Sequence, residues 1–283
     1  MGVVAAGFNV LALADAVRRI ENNTLPGRAL CITFDDGYAD NHDLALPVLL
    51  RHGLTACFFI ATGFLDGGRM FNDTVIEAVR RSPLDQVDLT EMGLDRAALT
   101  TPAQRSAAIG RLLPSIKYLR PEQRPQMLER LVRLLRSAPL PDDLMMTAAQ
   151  VGAMHRAGME IGAHTVNHPI LALLDVEEAE REMAASRDEL EQIIDAPVTL
   201  FAYPNGQPDR DYDARHALLA RRLGYAAAVT TAPGVAGPGA DRYQLPRYTP
   251  WNPSPWLWAT KIAASRTGRQ FATAAASSQT EPN

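Results

Sequence analysis

Short apolar or β-branched runs recur along the chain, and segments with helical periodicity separate them. This alternation is typical of a parallel sheet with helices outside it, because a long crossover must connect each pair of parallel strands. The runs predict strands at residues 30–34, 56–61, 160–163, 198–203, 226–231 and 244–248. The expected fold class is therefore α/β, with either an open sheet or a barrel.

One helix carries clear start and stop signals. Asp175 can cap its first turn while Glu178 reaches back as in a capping box, and Pro197 closes it. Apolar residues at helical spacing predict its buried face: Val176, Met183, Leu190 and Ile194. Two shorter helices are predicted at residues 44–51 and 148–156, and each ends just before a glycine that suits a left-handed C-cap.

The pattern changes between about residues 66 and 146, where leucine, arginine and alanine dominate and prolines are scattered. The stretch PQMLERLVRLLRS places one apolar stripe on a helix, formed by Met127, Leu128, Leu131, Leu134 and Leu135. We interpret the stripe as packing rather than a partner-binding groove, and the segment as a helical insertion into one domain of residues 1–262. Residues 263–283 are small and polar and predict a disordered tail.

Length and charge limit the functional classes. The 283 residues are 47% hydrophobic, which suffices for a large core. A net charge of -4 and a pI near 5.9 leave no basic footprint for nucleic acid. No apolar run approaches the roughly 20 residues of a membrane-spanning helix, and no basic region precedes the apolar N-terminus as in a secretory signal. We expect a soluble chain whose compartment the sequence leaves open.

The two cysteines, Cys31 and Cys57, lie inside predicted strands. Because both occur in apolar runs, we expect buried free thiols rather than a bridge. A fold built on a disulfide framework is excluded.

Polar residues collect directly after predicted strands, where a parallel sheet or barrel builds its site. Asp35 and Asp36 follow the first predicted strand in the stretch TFDDG. Two adjacent carboxylates are costly to hold in one pocket without a cation, because burial and mutual repulsion both penalise their charge. The same residues could instead form an Asx-type turn that only reverses the chain.

His164 and His168 follow a later predicted strand, four residues apart in HTVNH. They could be surface histidines, but imidazole nitrogen and carboxylate oxygen are also the donors that zinc and its neighbours bind. With Asp35 or Asp36 as third ligand, a position would remain for water, and the other carboxylate could act as general base. A third segment, FAYPNG, ends a strand with a turn that could direct a backbone N–H into the same site.

The stretches TFDDG, HTVNH and FAYPNG, in this order, resemble the motifs of the polysaccharide deacetylase family, which has the NodB homology domain. The resemblance covers roughly residues 28–250, and the insertion is its least typical part. It implies a distorted (β/α) barrel and metal-dependent removal of N- or O-acetyl groups from a glycan. Carried over by position, it implies that Asp35 is the general base and that Asp36, His164 and His168 bind one divalent metal ion. Zinc is the expected ion, and cobalt, nickel or manganese would fit the same donors.

The third motif carries over only in part. The resemblance implies that the backbone N–H of Asn205 is the oxyanion donor. Tyr203 and Pro204 of the same motif are the predicted substrate-binding residues. Ala202 stands where the best-known members have an arginine that braces the base. Arg247, in LPRYTP after a later strand, is expected to take over this role, and the alternative is a surface arginine.

The family's late Leu-x-His motif, whose histidine is the general acid, has no counterpart, since no histidine occurs after His216. His216 lies in a helical pattern and is expected on an outer helix, and His42 is the nearest alternative by sequence. The proton for the leaving amine could come from metal-bound water, from Asp35 acting twice, or from an unrecognised group.

The leading hypothesis is a metal-dependent de-N-acetylase of an amino-sugar polymer, such as a bacterial exopolysaccharide or cell-wall glycan. The absent acid histidine and Ala202 would also suit a glycan-binding module without turnover. A metallohydrolase of another small amide is the third hypothesis. Several aromatic residues could line sugar subsites or seal the barrel end: Tyr203, Tyr248, Trp251, Trp256 and Trp258.

Overall fold

The computed structural model describes residues 1–249, which belong to two compact units. The first unit comprises Met1–Asp66 and the chain from Met146 onward, and the second comprises Gly67–Met145. The three tryptophans after residue 250 and the predicted tail at 263–283 lie outside the described residues. Within residues 1–249, no helix combines the length and the apolar character needed to cross a membrane.

The helices in chain order are α1 (Gly2–Gly7), α2 (Leu13–Glu21), α3 (Leu46–Arg51), α4 (Phe71–Arg80), α5 (Pro102–Lys117), α6 (Arg124–Leu135), α7 (Ala148–Arg156), α8 (Val176–Ile194) and α9 (Ala214–Arg222). The strands are β1 (Asn9–Val10), β2 (Ala29–Leu30), β3 (Thr33–Phe34), β4 (Cys57–Ile60), β5 (Gln86–Val87), β6 (Ala97–Ala98), β7 (Glu160–Ala163), β8 (Leu200–Ala202), β9 (Ala227–Pro233) and β10 (Leu245–Arg247). A π-helical turn, Asn41–Ala45, leads into α3, and short 3₁₀ turns occur at Thr62–Phe64, Thr90–Met92 and Leu171–Leu173.

Six parallel strands form the central sheet of the first unit, in the order β10, β9, β8, β7, β4, β3. β1 and β2 form a separate parallel pair, and the chain passes from β2 into β3 after two residues. The sheet and its helices form the predicted distorted (β/α) barrel. Because the strands are parallel, their C-terminal ends lie at one rim, and the residues that follow them can meet there.

Strand side chains alternate between two cores, as the period of two requires. The larger core contains Phe58, Ile60 and Phe201 from the strands and Leu49, Met154 and Met183 from the helices. The smaller core lies on the opposite face of the strands and contains Cys57, Phe59, Leu200, Ala202, Val229 and Leu245. Leu13 and Val17 of α2 also belong to the smaller core.

The predicted elements are largely confirmed. α7 spans the predicted residues, and Asp175 and Glu178 form the predicted capping box at the start of α8. Val176 is 40% exposed instead of buried, and Ala179 and Ser186 complete the buried face. The predicted strand at 30–34 is split, because β2 pairs with β1 whereas β3 pairs with β4. Both cysteines are free, as predicted, although Cys31 is only partly buried.

The second unit has its own apolar core. Helices α4, α5 and α6 supply most of it, and β5 and β6 pair in antiparallel orientation. The predicted stripe on α6 faces this core, with Leu131 and Leu135 fully buried and Met127, Leu128 and Leu134 partly buried. The sequence predicts the helical character of this segment but not the β5–β6 pair, whose strands are two residues each.

Candidate metal centre

Three potential metal ligands converge at the C-terminal rim of the sheet. Asp36 follows β3, and His164 and His168 follow β7. One ligand atom from each residue lies within 4.8 Å of the other two. Asp36 Oδ1 is 3.5 Å from His164 Nε2 and 3.4 Å from His168 Nε2. The structure thus brings the three predicted ligands into one cluster.

The His164 ring is buried and held from behind. Its Nδ1 lies 2.7 Å from the Ala202 carbonyl oxygen of β8. A carbonyl can only accept, so Nδ1 carries the proton and Nε2 is left facing Asp36. This tautomer presents the nitrogen lone pair that a metal ion needs. Ala202 therefore contributes its backbone to the site, although its methyl group packs in the smaller core.

The donor set fits a divalent ion of the zinc type. Two imidazole nitrogens and one carboxylate oxygen are the ligands that zinc and its neighbours prefer. Three protein ligands leave one tetrahedral position for water or substrate. Within residues 1–249, no other group of three His, Cys, Asp or Glu side chains is close enough to hold a metal.

The crowding of the cluster shifts its pKa values. Burial raises the pKa of Asp36, but the hydrogen bond to His164 and the charges of both histidines outweigh it and lower the pKa below 3.8. Burial lowers the pKa of His164, but the hydrogen bond to Asp36 and the charges of Asp35 and Asp36 outweigh it and raise the pKa above 6.5. A metal ion here would compete with a proton for these groups.

Asp35 pairs with Arg247. Nη1 and Nη2 of Arg247 donate to Oδ1 and Oδ2 of Asp35, both at 2.7 Å. The guanidinium also donates from Nε to the Thr230 carbonyl at 2.8 Å and from Nη1 to Thr33 Oγ1 at 3.2 Å. Its side chain is 15% exposed, so Arg247 is not a surface residue. This two-pronged contact fixes the plane of the carboxylate.

Arg247 also sets the charge of Asp35. Burial raises the pKa of this carboxyl, but the Arg247 charge and hydrogen bonds outweigh burial and lower the pKa to about 2. Asp35 is therefore ionised at neutral pH while both of its oxygens are held. Asp36, its neighbour in sequence, faces the histidines instead.

Asn205 lies in the turn after β8, at the same rim. Its φ of +60° is left-handed, and its carbonyl accepts a hydrogen bond from Thr231 Oγ1 at 2.6 Å. Gly206 follows with φ +65°, and a Cβ there would lie 2.9 Å from the Thr231 backbone nitrogen. The PNG turn is thus pressed against β9, which accounts for its glycine.

Tyr203 and Pro204 are both buried, which contradicts the expected substrate contact of their side chains. Tyr203 is 0% exposed, its ring stacks on Tyr212 at 4.0 Å between centroids, and its hydroxyl donates to the Tyr243 carbonyl at 2.9 Å. The Pro204 carbonyl accepts from the Gly206 N–H at 2.7 Å. Strand alternation explains the difference, because it directs Tyr203 into the larger core.

His216 and His42 lie outside the three-ligand cluster. His216 lies on helix α9, where it is buried, and its Nδ1 accepts the Asp213 N–H at 3.0 Å in the capping box of that helix. Its ring also hydrogen bonds to the backbone of Leu171, and burial lowers its pKa. His42 lies in the π-helical turn, where its Nδ1 is 2.8 Å from Asp43 Oδ1.

Glu182 of α8 contacts the loop between the two histidines. Its Oε2 accepts from the backbone N–H groups of Val166 and Asn167 at 2.9 and 2.8 Å, and its Oε1 accepts from Asn167 Nδ2 at 2.7 Å. Sequence reasoning missed this residue, because a glutamate on an amphipathic helix is expected to face solvent. Its position next to Met183, on the predicted buried face, is the only sequence signal that could have found it.

Four residues of this site have left-handed backbone conformations. Asp36, Thr165, His168 and Asn205 have φ values of +78°, +66°, +49° and +60°. Such a φ is a clear outlier for a β-branched residue such as Thr165. Strained conformations persist only where the surroundings fix them, and they cluster at functional sites.

The chain resembles known proteins in both sequence and fold. The family model described as polysaccharide deacetylase matches residues 22–104 and 123–228, more than half of the chain. The chain belongs to the polysaccharide deacetylase family. The residues that the family model matches include Asp35 and the three candidate ligands, whereas Arg247 lies outside the matched ranges.

Curated and solved relatives are distant but extensive. YxkH of Bacillus subtilis (strain 168), which is described as a polysaccharide deacetylase, is 23% identical over 242 residues. The alignment covers 85% of this chain and 58% of the length of YxkH. The deacetylase PplD of Streptococcus pyogenes, solved with acetate, is 23% identical, with a TM-score of 0.55 over 87% of this chain and 75% of that one. IcaB of Ammonifex degensii is 18% identical, with a TM-score of 0.57 over 92% of this chain and 82% of that one. Both solved structures share the fold of this chain.

Proposed function

We propose that the protein is a metal-dependent hydrolase that removes N-acetyl groups, with O-acetyl groups as the variant, from an amino-sugar polysaccharide. A bacterial exopolysaccharide or a cell-wall glycan is the proposed substrate class. One observation carries the proposal: Asp36, His164 and His168 cluster within 4.8 Å at the rim, and the neighbouring Asp35 is held ionised by Arg247. Such a site offers metal ligands and a separate base side by side.

Asp36, His164 and His168 would hold the ion, with zinc as first choice. A divalent ion there supplies positive charge that polarises the acetyl carbonyl and lowers the pKa of water. Asp35 is the proposed general base, since both of its oxygens bind Arg247 and its carboxylate stays ionised. The Asn205 N–H is the proposed donor to the charge that develops on the carbonyl oxygen.

Asp35 alone can carry the proton that the leaving nitrogen needs. Water adds to the acetyl carbon, forms the new C–O bond and gives one proton to Asp35, and the C–N bond breaks as the nitrogen takes up that proton. The second water proton passes from the new carboxyl group to the amine, so the products are acetate and an ammonium group. A carboxyl group whose pKa is held near 2 releases its proton readily, so Asp35 can pass it to the leaving nitrogen. His216 is unsuited to this step because it is buried in its capping box.

Metal analysis combined with acetate release tests the proposal. The purified protein is offered acetylated polyglucosamine, cell-wall glycan and an O-acetylated polysaccharide, together with formyl and cyclic amides. We expect one ion per chain and acetate release that stops on chelation and returns with zinc. Glycan binding without acetate release would indicate a binding module, and turnover of small amides alone would indicate another class of metallohydrolase.

A further inference from the structure

The loop that carries the two histidines is hydrogen bonded to the segment that follows the neighbouring strand β4. The segment after β4 donates three successive N–H groups to carbonyls of the ligand-bearing loops: Ala61 to Asp36 at 3.2 Å, Thr62 to Thr165 at 3.2 Å and Gly63 to Val166 at 2.9 Å. A Cβ on Gly63 would lie 2.9 Å from the Val166 carbonyl oxygen. The segment 61–63 thus contacts both ligand-bearing loops. It packs so closely against the histidine loop that a side chain at position 63 would push that loop away.

Glu182 ties the same loop through its donors. Its carboxylate receives two backbone N–H groups and the Asn167 amide, and no neutral side chain could accept all three so well. The loop needs such restraint, since Thr165 and His168 at its two ends both have left-handed φ values. Glu182 therefore supplies hydrogen bonds to a loop that its own backbone preferences do not favour.

We propose that Glu182 is a positioning residue for the metal site, whose carboxylate holds the 165–167 loop so that His164 and His168 face Asp36 before the ion binds. The inference rests on the proposed function, which makes these three residues the ligands. Glu182 acts through the backbone of Val166 and Asn167, so its removal leaves every ligand present and relaxes only their arrangement. Metal binding then has to order the loop, which weakens affinity.

The test measures zinc affinity on the full chain. Metal-stripped protein is titrated with Zn²⁺ against a chromophoric chelator, at a temperature well below the unfolding midpoint of each metal-free variant. We expect Glu182→Ala to raise the Kd for zinc about 10- to 100-fold, the usual cost of losing a group that supports metal ligands. At saturating zinc, kcat should recover more fully than the Kd, since the ion itself can order the loop.

The conservative variant separates positioning from simple loss of stability. In Glu182→Gln, the amide oxygen can accept both backbone N–H groups, and the Asn167 amide can turn its oxygen toward the new NH₂ group. We expect a Kd within about 3-fold of wild type, because only the charge assistance is lost. Glu180→Gln is the matched control, since Glu180 lies on the same helix and pairs with Arg222. Its Kd should equal that of wild type.

A perturbation from the other side provides a second test. Gly63→Ala leaves Glu182 in place but pushes on the Val166 carbonyl, so we expect it to raise the zinc Kd about 10-fold as well. An unchanged Kd in Glu182→Ala, or an equal rise in Glu182→Ala and Glu180→Gln, would overturn the positioning role while the proposed function stands. Wild-type protein that binds no zinc would overturn both.

Discussion

The two ends of the central sheet each contain a largely buried carboxylate, and they use it differently. At the N-terminal end, Glu160 of β7 accepts the backbone N–H groups of Leu13 and Ala14 at 2.5 and 3.0 Å. Burial raises the pKa of Glu160 despite these bonds. At the C-terminal end, Asp35 is bound by the Arg247 guanidinium, and its pKa is lowered to about 2.

The difference lies in the partner, not in the carboxylate. The first turn of α2 offers Glu160 oriented N–H groups, which satisfy its oxygens but carry only partial charge. Arg247 offers Asp35 a full charge and a rigid pair of donors. A carboxylate at one end of the sheet thus caps the start of a helix, and a carboxylate at the other end is held ionised and oriented by Arg247, as the proposed base requires. The following predictions test this contrast, from the largest expected effect to the smallest.

Removal of a ligand should have the largest effect. His164→Ala should lose most of the bound zinc and nearly all acetate release, because two ligands cannot hold the ion in this site. Metal content by elemental analysis and acetate release measure both effects. The exposed His52 provides a control, since His52→Ala should retain both. A His164→Ala protein with one zinc per chain would show that the ligand assignment is wrong.

Asp35→Asn should keep the metal and lose about 10²- to 10⁴-fold in kcat, the usual share of general base catalysis. Asp36→Asn should instead weaken zinc binding, because an amide oxygen is a poorer ligand than a carboxylate. Zinc titration and steady-state kinetics on both variants separate the two roles. Equal loss of zinc in the two variants would mean that the adjacent aspartates do not divide the work as proposed.

Arg247→Ala should retain zinc and lower kcat/KM by about 10- to 10²-fold. Without the guanidinium, burial dominates and raises the pKa of Asp35, so the acidic limb of the pH–rate profile moves to higher pH. Arg247→Lys should rescue only part of the rate, since an ammonium lacks the planar pair of donors. The profile is measured at saturating zinc. An unmoved acidic limb with near-normal rate would leave Asp35 in need of another partner.

At the opposite end of the sheet, Glu160→Ala should lower the free energy of unfolding by about 1 kcal/mol, as expected for loss of a helix-capping group. Its zinc affinity and kcat should match wild type, because the Glu160 carboxylate hydrogen bonds to the start of α2, at the opposite end of the sheet from the candidate ligands. Urea unfolding and steady-state kinetics test the two statements. A fall in kcat at constant zinc occupancy would show that the two ends of the sheet are coupled.

The smallest effect concerns pH and stability away from the rim. Burial lowers the pKa of His216 below 6.5 in the folded protein, so the unfolded chain takes up the proton first as the pH falls. The contribution of the neutral His216 to the free energy of unfolding is complete above pH 6.5. It is lost as the pH falls below 6.5, at no more than about 1.4 kcal/mol per pH unit. His216→Gln keeps an acceptor for the capping box. Urea unfolding between pH 5 and 7 should show a shallower decline for the variant than for wild type.

The convergence of the ligands could be predicted from the sequence, because the motifs that carry Asp36 and His164 each follow a strand of one parallel sheet. Arg247 could be predicted for a similar reason, since it closes a later strand whose C-terminal end shares the same rim. The burial of Tyr203 could not be predicted, since a shift of one residue in strand register exchanges the two faces. The motif alone does not reveal which face its tyrosine occupies.

The role of Glu182 depends on tertiary packing. It contacts a loop 15 residues away through the way in which α8 lies against the rim, and no local pattern in the sequence encodes that contact. The split between β2 and β3 has the same origin, since it follows from which strand each half pairs with. The sequence predicts elements and their order well where periodicity is strong, and long-range contacts poorly where a single side chain makes them.

The pairing of Asp35 with Arg247 also bears on the order in which the site is assembled during synthesis on the ribosome. The two residues are 212 positions apart in the chain, so the base emerges long before the cation that orients it. At about 5 to 20 residues per second, synthesis of the intervening chain takes about 10 to 40 s. In the last part of that interval, which starts once His168 has been made and lasts about 4 to 16 s at the same rate, Asp36, His164 and His168 are all present in a nascent chain that still lacks the orienting cation. The proposed catalytic site is thus completed only once Arg247 has been made.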